Sequence, residues 1–205
     1  LGPFVDSDAQ PIVCQTELGG SIDADAFRDA DGKLYLYFKN DGNRVHARTS
    51  IWGQPLASDG LSVTGQAVEL VKDSQPWEDR VVEAPTMVRP PAGYELFFSG
   101  GFFGWNPEEG GLSPYAMGYA NCAGPLGPCT AAPENPILHS FNDRAAGCLS
   151  GPGHQSIFEV GTRTFISFHA WESSSGCRKK DDNRYLYIAP IFWKDGKPQI
   201  GPSLR

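Results

Sequence analysis

Glycine turns followed at once by short aromatic runs recur along this chain at a nearly constant interval. They read "DADGKLYLYFKN", "PPAGYELFFSGG" and "EVGTRTFISFHAW", and they begin about 60 and then about 70 residues apart, room for several short strands in each unit. A further run, "RYLYIAPIFW", occupies positions 184–193. Helical periodicity is hard to find, and the apolar runs are bounded by Gly, Asp, Asn and Pro, the punctuation of strands and turns. Repetition on this scale reads as an all-β fold built by radial repetition of four-stranded sheets, a β-propeller. A β-sandwich is the plainer alternative. At roughly 60 residues per unit, the 205 residues form a single domain over 1–205 with between three and four blades. That is too few to close a ring, so part of the propeller is expected to be missing.

Composition narrows the partners. With 24 Gly and 17 Pro the chain is turn-rich without being disordered. A net charge of -7 disfavours nucleic acid and anionic membranes and suits a neutral or cationic ligand. No apolar run approaches the roughly 20 residues that span a bilayer. The opening "LGPFVDSDAQP" lacks the basic head and apolar stretch of a secretory signal.

Five cysteines lack zinc-site spacing, so metal ligation by them is not expected. Cys122 and Cys129 bracket "AGPLGP", a loop short enough for a bridge, and Cys148 and Cys177 flank strand-like segments and are a second candidate pair. Cys14 then has no mate within the chain, which points to a partner on another chain or segment. Five reduced thiols in a cytosolic protein is the alternative; the bridged reading implies secretion.

Two acidic residues stand where strand context makes a carboxylate costly unless it is used. Asp23 lies in "GGSIDADAF" after a glycine pair, and Glu83 in "VVEAP" between valines and Ala-Pro. A solvated strand-end carboxylate is the plain reading of each. His154 follows a Gly-Pro-Gly turn that aims its ring, whereas His46, His139 and His169 read as structural. Arg184 opens the last long strand. Phe102, Phe103 and Trp105 in "GGFFGWN", together with Trp171, offer faces on which the C–H surface of a sugar would pack.

Taken in order, "SIDADAFRDADGKLYLYFKND", "VVEAPTMVRPPAGYELFFSGG", "SGPGHQSIF" and "RYLYIAPIFWKDGKP" resemble the landmarks of family 43 glycoside hydrolases, over nearly the whole chain from Gly2-Pro3-Phe4 to about Pro198. The resemblance implies a five-bladed β-propeller of which this chain supplies roughly blades two to five. It also implies hydrolysis, with inversion, of arabinose- or xylose-containing plant polysaccharides by an arabinofuranosidase, xylosidase or arabinanase. On it Glu83 is the general acid and Asp23 the carboxylate that orients it and tunes its pKa. His154 is the histidine near the propeller axis that approaches a central metal ion, and Arg184 contacts substrate or acid. No cofactor is required; a structural calcium is compatible, although no calcium-loop signature is present.

Two departures bear on the chemistry. The family's Ile-Asp-Pro is Ile22-Asp23-Ala24 here, and no Asp-Pro dipeptide, the usual setting of the general base in the first blade, occurs anywhere. The base is therefore expected on a segment absent from this chain, supplied by a second polypeptide or lost by truncation. Asp6 and Asp8, nearest by position, lie in a turn-like "VDSDAQP". An inverting glycosidase needs a protonated carboxyl on the leaving oxygen and an ionised one about 6.5–9.5 Å away activating water. Apolar neighbours and the charge of Asp23 are expected to keep Glu83 protonated. A non-catalytic carbohydrate-binding propeller is the reading from a different class. A retaining fructosidase fits less well, because "IDAD" and "EAP" stand where Arg-Asp-Pro and Glu-Cys would.

Overall fold

The computed structural model describes residues 2–3, 5–6, 9–104, 112–143, 147–171 and 183–202. Among them the regular structure is strand, interrupted only by single 3₁₀ turns at Thr16–Leu18, Gly42–Val45 and Pro76–Glu78. The first sheet is an antiparallel meander of β1 (Ser21–Arg28), β2 (Leu34–Asn40), β3 (Ser50–Leu56) and β4 (Val68–Lys72). The second repeats that order with β5 (Val82–Val88), β6 (Tyr94–Gly100), β7 (Ala116–Cys122) and β8 (Cys129–Ala131). In the third, a short β9 (Phe141–Asp143) pairs with the start of β10 (Gly147–Val160). The meander then continues through β11 (Arg163–Trp171), β12 (Arg184–Lys194) and β13 (Lys197–Ile200).

The three glycine turns mark the same hairpin in each sheet, joining β1 to β2, β5 to β6 and β10 to β11. Gly32, Gly93 and Gly161 all take positive φ, at 86°, 139° and 62°, a conformation that side chains with a Cβ resist. In the first turn Asp29 O accepts from Gly32 N at 2.9 Å, while Asp31 Oδ1 accepts from Lys33 N at 3.0 Å. The aromatic runs are accordingly the second strand of each four-stranded meander, the short β9 being an addition outside the third. "RYLYIAPIFW", by contrast, is β12, the third strand of the third blade. The described residues therefore make three blades, within the three to four that the sequence count suggested and one fewer than the blades two to five that the resemblance implied. The fourth aromatic run continues a meander instead of opening a new one.

Two apolar cores lie between the blades, and alternation along β6 feeds both. Leu96 and Phe98 pack with Tyr37, Ile51 and Val82 of the first junction; Phe97 packs with Tyr119, Ile166 and Phe168 of the second. Successive side chains leave a strand on opposite faces, so β6 contributes to both junctions. Each fully buried Phe contributes about 2–3 kcal/mol. The predicted Cys122–Cys129 bridge is present and closes the β7–β8 hairpin. Cys148 is disulfide-bonded, its expected mate Cys177 lying outside the described residues, and Cys14 is free and exposed. No helix among the described residues is long and apolar enough to cross a membrane.

Candidate active site

The inner strands β1, β5 and β10, which meet across the blade junctions, each keep regular register near the hairpin turn and lose it toward the opposite end. The breaks fall between Ile22 and Asp25 in β1, between Glu83 and Thr86 in β5, and on both sides of Gly153 in β10. A residue in the left-handed region sits in each: Asp23 (φ 57°), Ala84 (φ 52°) and His154 (φ 54°). That conformation costs about 1 kcal/mol or more for a residue with a Cβ. Bulges of this kind re-aim side chains, and here they bring Asp23, Glu83 and His154 together from three blades.

Hydrogen bonds hold the convergence. Asp23 Oδ2 accepts from Ala84 N at 3.0 Å, and Gln155 Nε2 donates to Ala84 O at 2.7 Å, so the residue after Glu83 is gripped from both sides. Ser99 Oγ accepts from His154 N at 2.8 Å and donates to Gln155 Oε1 at 2.7 Å. The imidazole of His154 then lies between the carboxylates, with Nε2 4.0 Å from Asp23 Oδ1 and Nδ1 4.0 Å from Glu83 Oε1.

Glu83 is buried, and both its oxygens accept hydrogen bonds. Lys39 Nζ donates to Oε2 at 3.0 Å and also to Asn43 Oδ1 at 3.0 Å; the Lys39 side chain is 1% exposed. Tyr115 O–H donates to Oε1. Burial and then the Glu83 charge push the Tyr115 hydroxyl well above its usual range, so it stays protonated. Gly153 makes this reach geometrically available: a Cβ there would stand 2.1 Å from Tyr115 Cε1.

On the other side of the cleft Arg184, at the start of β12, lies over two aromatic rings, 5.4 Å from the centre of Phe103 and 5.1 Å from that of Trp171. Trp171 Nε1 donates to Phe103 O at 3.0 Å, which ties the two together. Arg184 Nη1 approaches His169 Nε2 at 3.4 Å. Phe102 and Phe103 are exposed.

Asp23, Glu83, His154, Phe103, Trp171 and Arg184 thus border one region, built from three blades. Trp105 lies outside the described residues. The expectation of apolar surroundings for the Glu83 carboxylate is corrected. Its neighbour Val82 faces the core of the first junction, so Glu83 leaves on the opposite face and meets an ammonium and a phenol. Phe103 and Trp171 also differ from the simple sugar platform expected of them, since the Arg184 guanidinium covers part of each. His169, read from sequence as a packed core residue, stacks on Tyr115 and His154 at this cleft. Lys39 was legible in principle as the one charge in "LYLYF-K-N". Tyr115, in "SPYAMGYA", carried no signal at all. No group of three or more His, Cys, Asp or Glu among the described residues is arranged to hold a metal ion.

Comparison with known proteins agrees with this fold. The Aspergillus niger protein named beta-D-galactofuranosidase is 32% identical over 196 residues, covering 95% of this chain and 49% of that protein. A beta-xylosidase of Bacillus subtilis is 24% identical, covering 97% of this chain and 39% of its own length. The chain spans about half or less of these curated relatives. Among solved structures, an endo-1,4-beta-xylanase from Bacteroides thetaiotaomicron superposes with a TM-score of 0.77 at 29% identity, over 98% of this chain and 64% of that one. A thermostable family-43 glycoside hydrolase gives 0.74 at 27%, over 89% and 58%. The family model for glycosyl hydrolases family 43 matches residues 1–198, nearly the whole of the sequence: the chain belongs to that family.

Proposed function

We propose that this chain forms the proton-donating side of an inverting glycosidase cleft that releases arabinose, xylose or a related sugar from plant polysaccharides or oligosaccharides. The carrying observation is the joining of Asp23 and Glu83, sixty positions apart, through the Ala84 amide and the His154 ring. Glu83 is the general acid, giving its proton to the leaving glycosidic oxygen. Asp23 sets the backbone that positions it, and Arg184, Phe103 and Trp171 meet the sugar. The Tyr115 hydroxyl both donates and accepts, so protonation of Glu83 Oε1 reverses that hydrogen bond without moving either residue. The general base, needed about 6.5–9.5 Å from the acid, comes from a segment or second chain outside these residues. The short span relative to the curated relatives supports that reading, and the disulfides support secretion.

One observation favours a second reading, carbohydrate binding without hydrolysis: both Glu83 oxygens already accept from donors, the arrangement of a settled carboxylate. Sugar release from arabinose-, xylose- and galactofuranose-containing disaccharides separates the two. In the glycosidase reading Glu83→Gln lowers release by about 10²–10⁴-fold. The loss is smaller on nitrophenyl glycosides, whose leaving group needs no proton. Saccharide binding without release by wild-type protein that carries the base-bearing segment, at an affinity unchanged in Glu83→Gln, would establish the binding reading instead.

A further inference from the structure

His169 stands beside the proposed acid without a role in the chemistry above. Its ring stacks on buried Tyr115 at 5.7 Å and 8° and on His154 at 6.2 Å and 25°. Arg184 is always a donor, so at 3.4 Å from Nη1 the His169 Nε2 must present its lone pair. The ring proton then sits on Nδ1, and that atom is buried with no hydrogen-bond partner among the described residues. An unmade hydrogen bond on a buried donor destabilises the fold. A phenyl ring would fill the same stack without that cost. Packing alone therefore does not account for a histidine here, whereas a lone pair aimed at a guanidinium does.

We propose that His169 is a positioning residue: its neutral imidazole, seated on Tyr115, fixes the Arg184 guanidinium against Phe103 and Trp171, with the other N–H groups of Arg184 available to sugar hydroxyls. In this arrangement Tyr115 links the two sides of the cleft, donating to Glu83 with its hydroxyl and supporting the Arg184 anchor with its ring. The consequence for sugar binding rests on the function proposed above; the geometry does not.

The test compares His169→Phe with His169→Gln, whose carbonyl can replace the acceptor. Nitrogen-15 NMR of the arginine side chains reports whether rotation of the Arg184 guanidinium is hindered, without any ligand. Hindered rotation is expected in the wild type and in His169→Gln and free rotation in His169→Phe, while the thermal midpoint of His169→Phe stays level or rises. Affinity for xylotriose or arabinotriose should fall about ten-fold in His169→Phe, the scale of one hydrogen bond to a charged group, and about two-fold at most in His169→Gln. Unchanged guanidinium rotation in His169→Phe overturns the proposal. So does equal weakening of both variants with a lowered midpoint, the signature of a merely structural ring. If the wild type binds neither saccharide while rotation still depends on His169, the positioning role stands and the carbohydrate reading falls.

Discussion

The two ends of the inner strands are built on opposite terms. At the turn end the register is regular, from Asp25 to Arg28, Thr86 to Val88 and Ser156 to Val160. There Asp29, buried after β1, accepts from Arg89 Nη1 at 2.9 Å and Tyr94 O–H at 2.8 Å of the second blade, with Arg89 lying 5.0 Å over the Tyr94 ring. At the cleft end each strand breaks register, three residues with a Cβ hold left-handed conformations, and a Lys–Glu pair is buried. The turn end ties blades together with satisfied hydrogen bonds and regular ladders. The cleft end consumes part of that stability to aim side chains.

The buried Lys39–Glu83 pair is where this contrast can be broken most decisively. Removing either partner strands a buried charge, which costs about 3–5 kcal/mol, so Lys39→Met and Glu83→Gln should each lower the urea midpoint. The double variant should cost well under their sum, because the two are coupled. Single losses below about 1 kcal/mol would mean the pair behaves as a solvated surface pair, and the cleft end would then carry little strain.

Glu95 sharpens the comparison from the other side, since it is the buried exception at the turn end. Paired with Val88, it accepts from Trp193 Nε1 at 2.7 Å through Oε2, while Oε1 has no partner among the described residues. Burial pushes its pKa up from 4.5 to about 7. A carboxyl raised on folding keeps its proton in the native state while the unfolded chain releases it. Stability is therefore lost as pH rises from about 4.5 through 7, by up to roughly 3 kcal/mol. Glu95→Gln should flatten that decline in thermal midpoints taken from pH 5 to 8. An unchanged slope would leave the turn end uniformly satisfied.

The smallest effect isolates the backbone. Ala84→Gly relieves a left-handed alanine, whereas Ala120→Gly replaces a fully buried alanine in β7. Both lose a buried methyl and loosen the unfolded chain, so the first should cost about 1 kcal/mol less than the second. Equal costs would show that the bulge at Ala84 is unstrained.

Much of this architecture was legible because its signals are local. A glycine that must take positive φ and an aromatic run beside it declare a hairpin within a dozen residues. Their recurrence implied stacked small sheets, although "RYLYIAPIFW" continues a blade that local pattern cannot distinguish from a new one. The motifs around Asp23, Glu83, His154 and Arg184 stood out by the same kind of signal.

What the chain alone determined is which segments become strands, where they turn, and which acidic residues sit at strand positions too costly for idle charge. Tertiary structure alone decided what those residues face. Contact between Glu83 and Lys39 spans 44 positions, and that between Asp23 and Ala84 spans 61. Both depend on register breaks that move a side chain from one face of a strand to the other. Because strand side chains alternate with a period of two, a single inserted residue reverses every outward and inward assignment. That choice is made only when neighbouring blades close on one another.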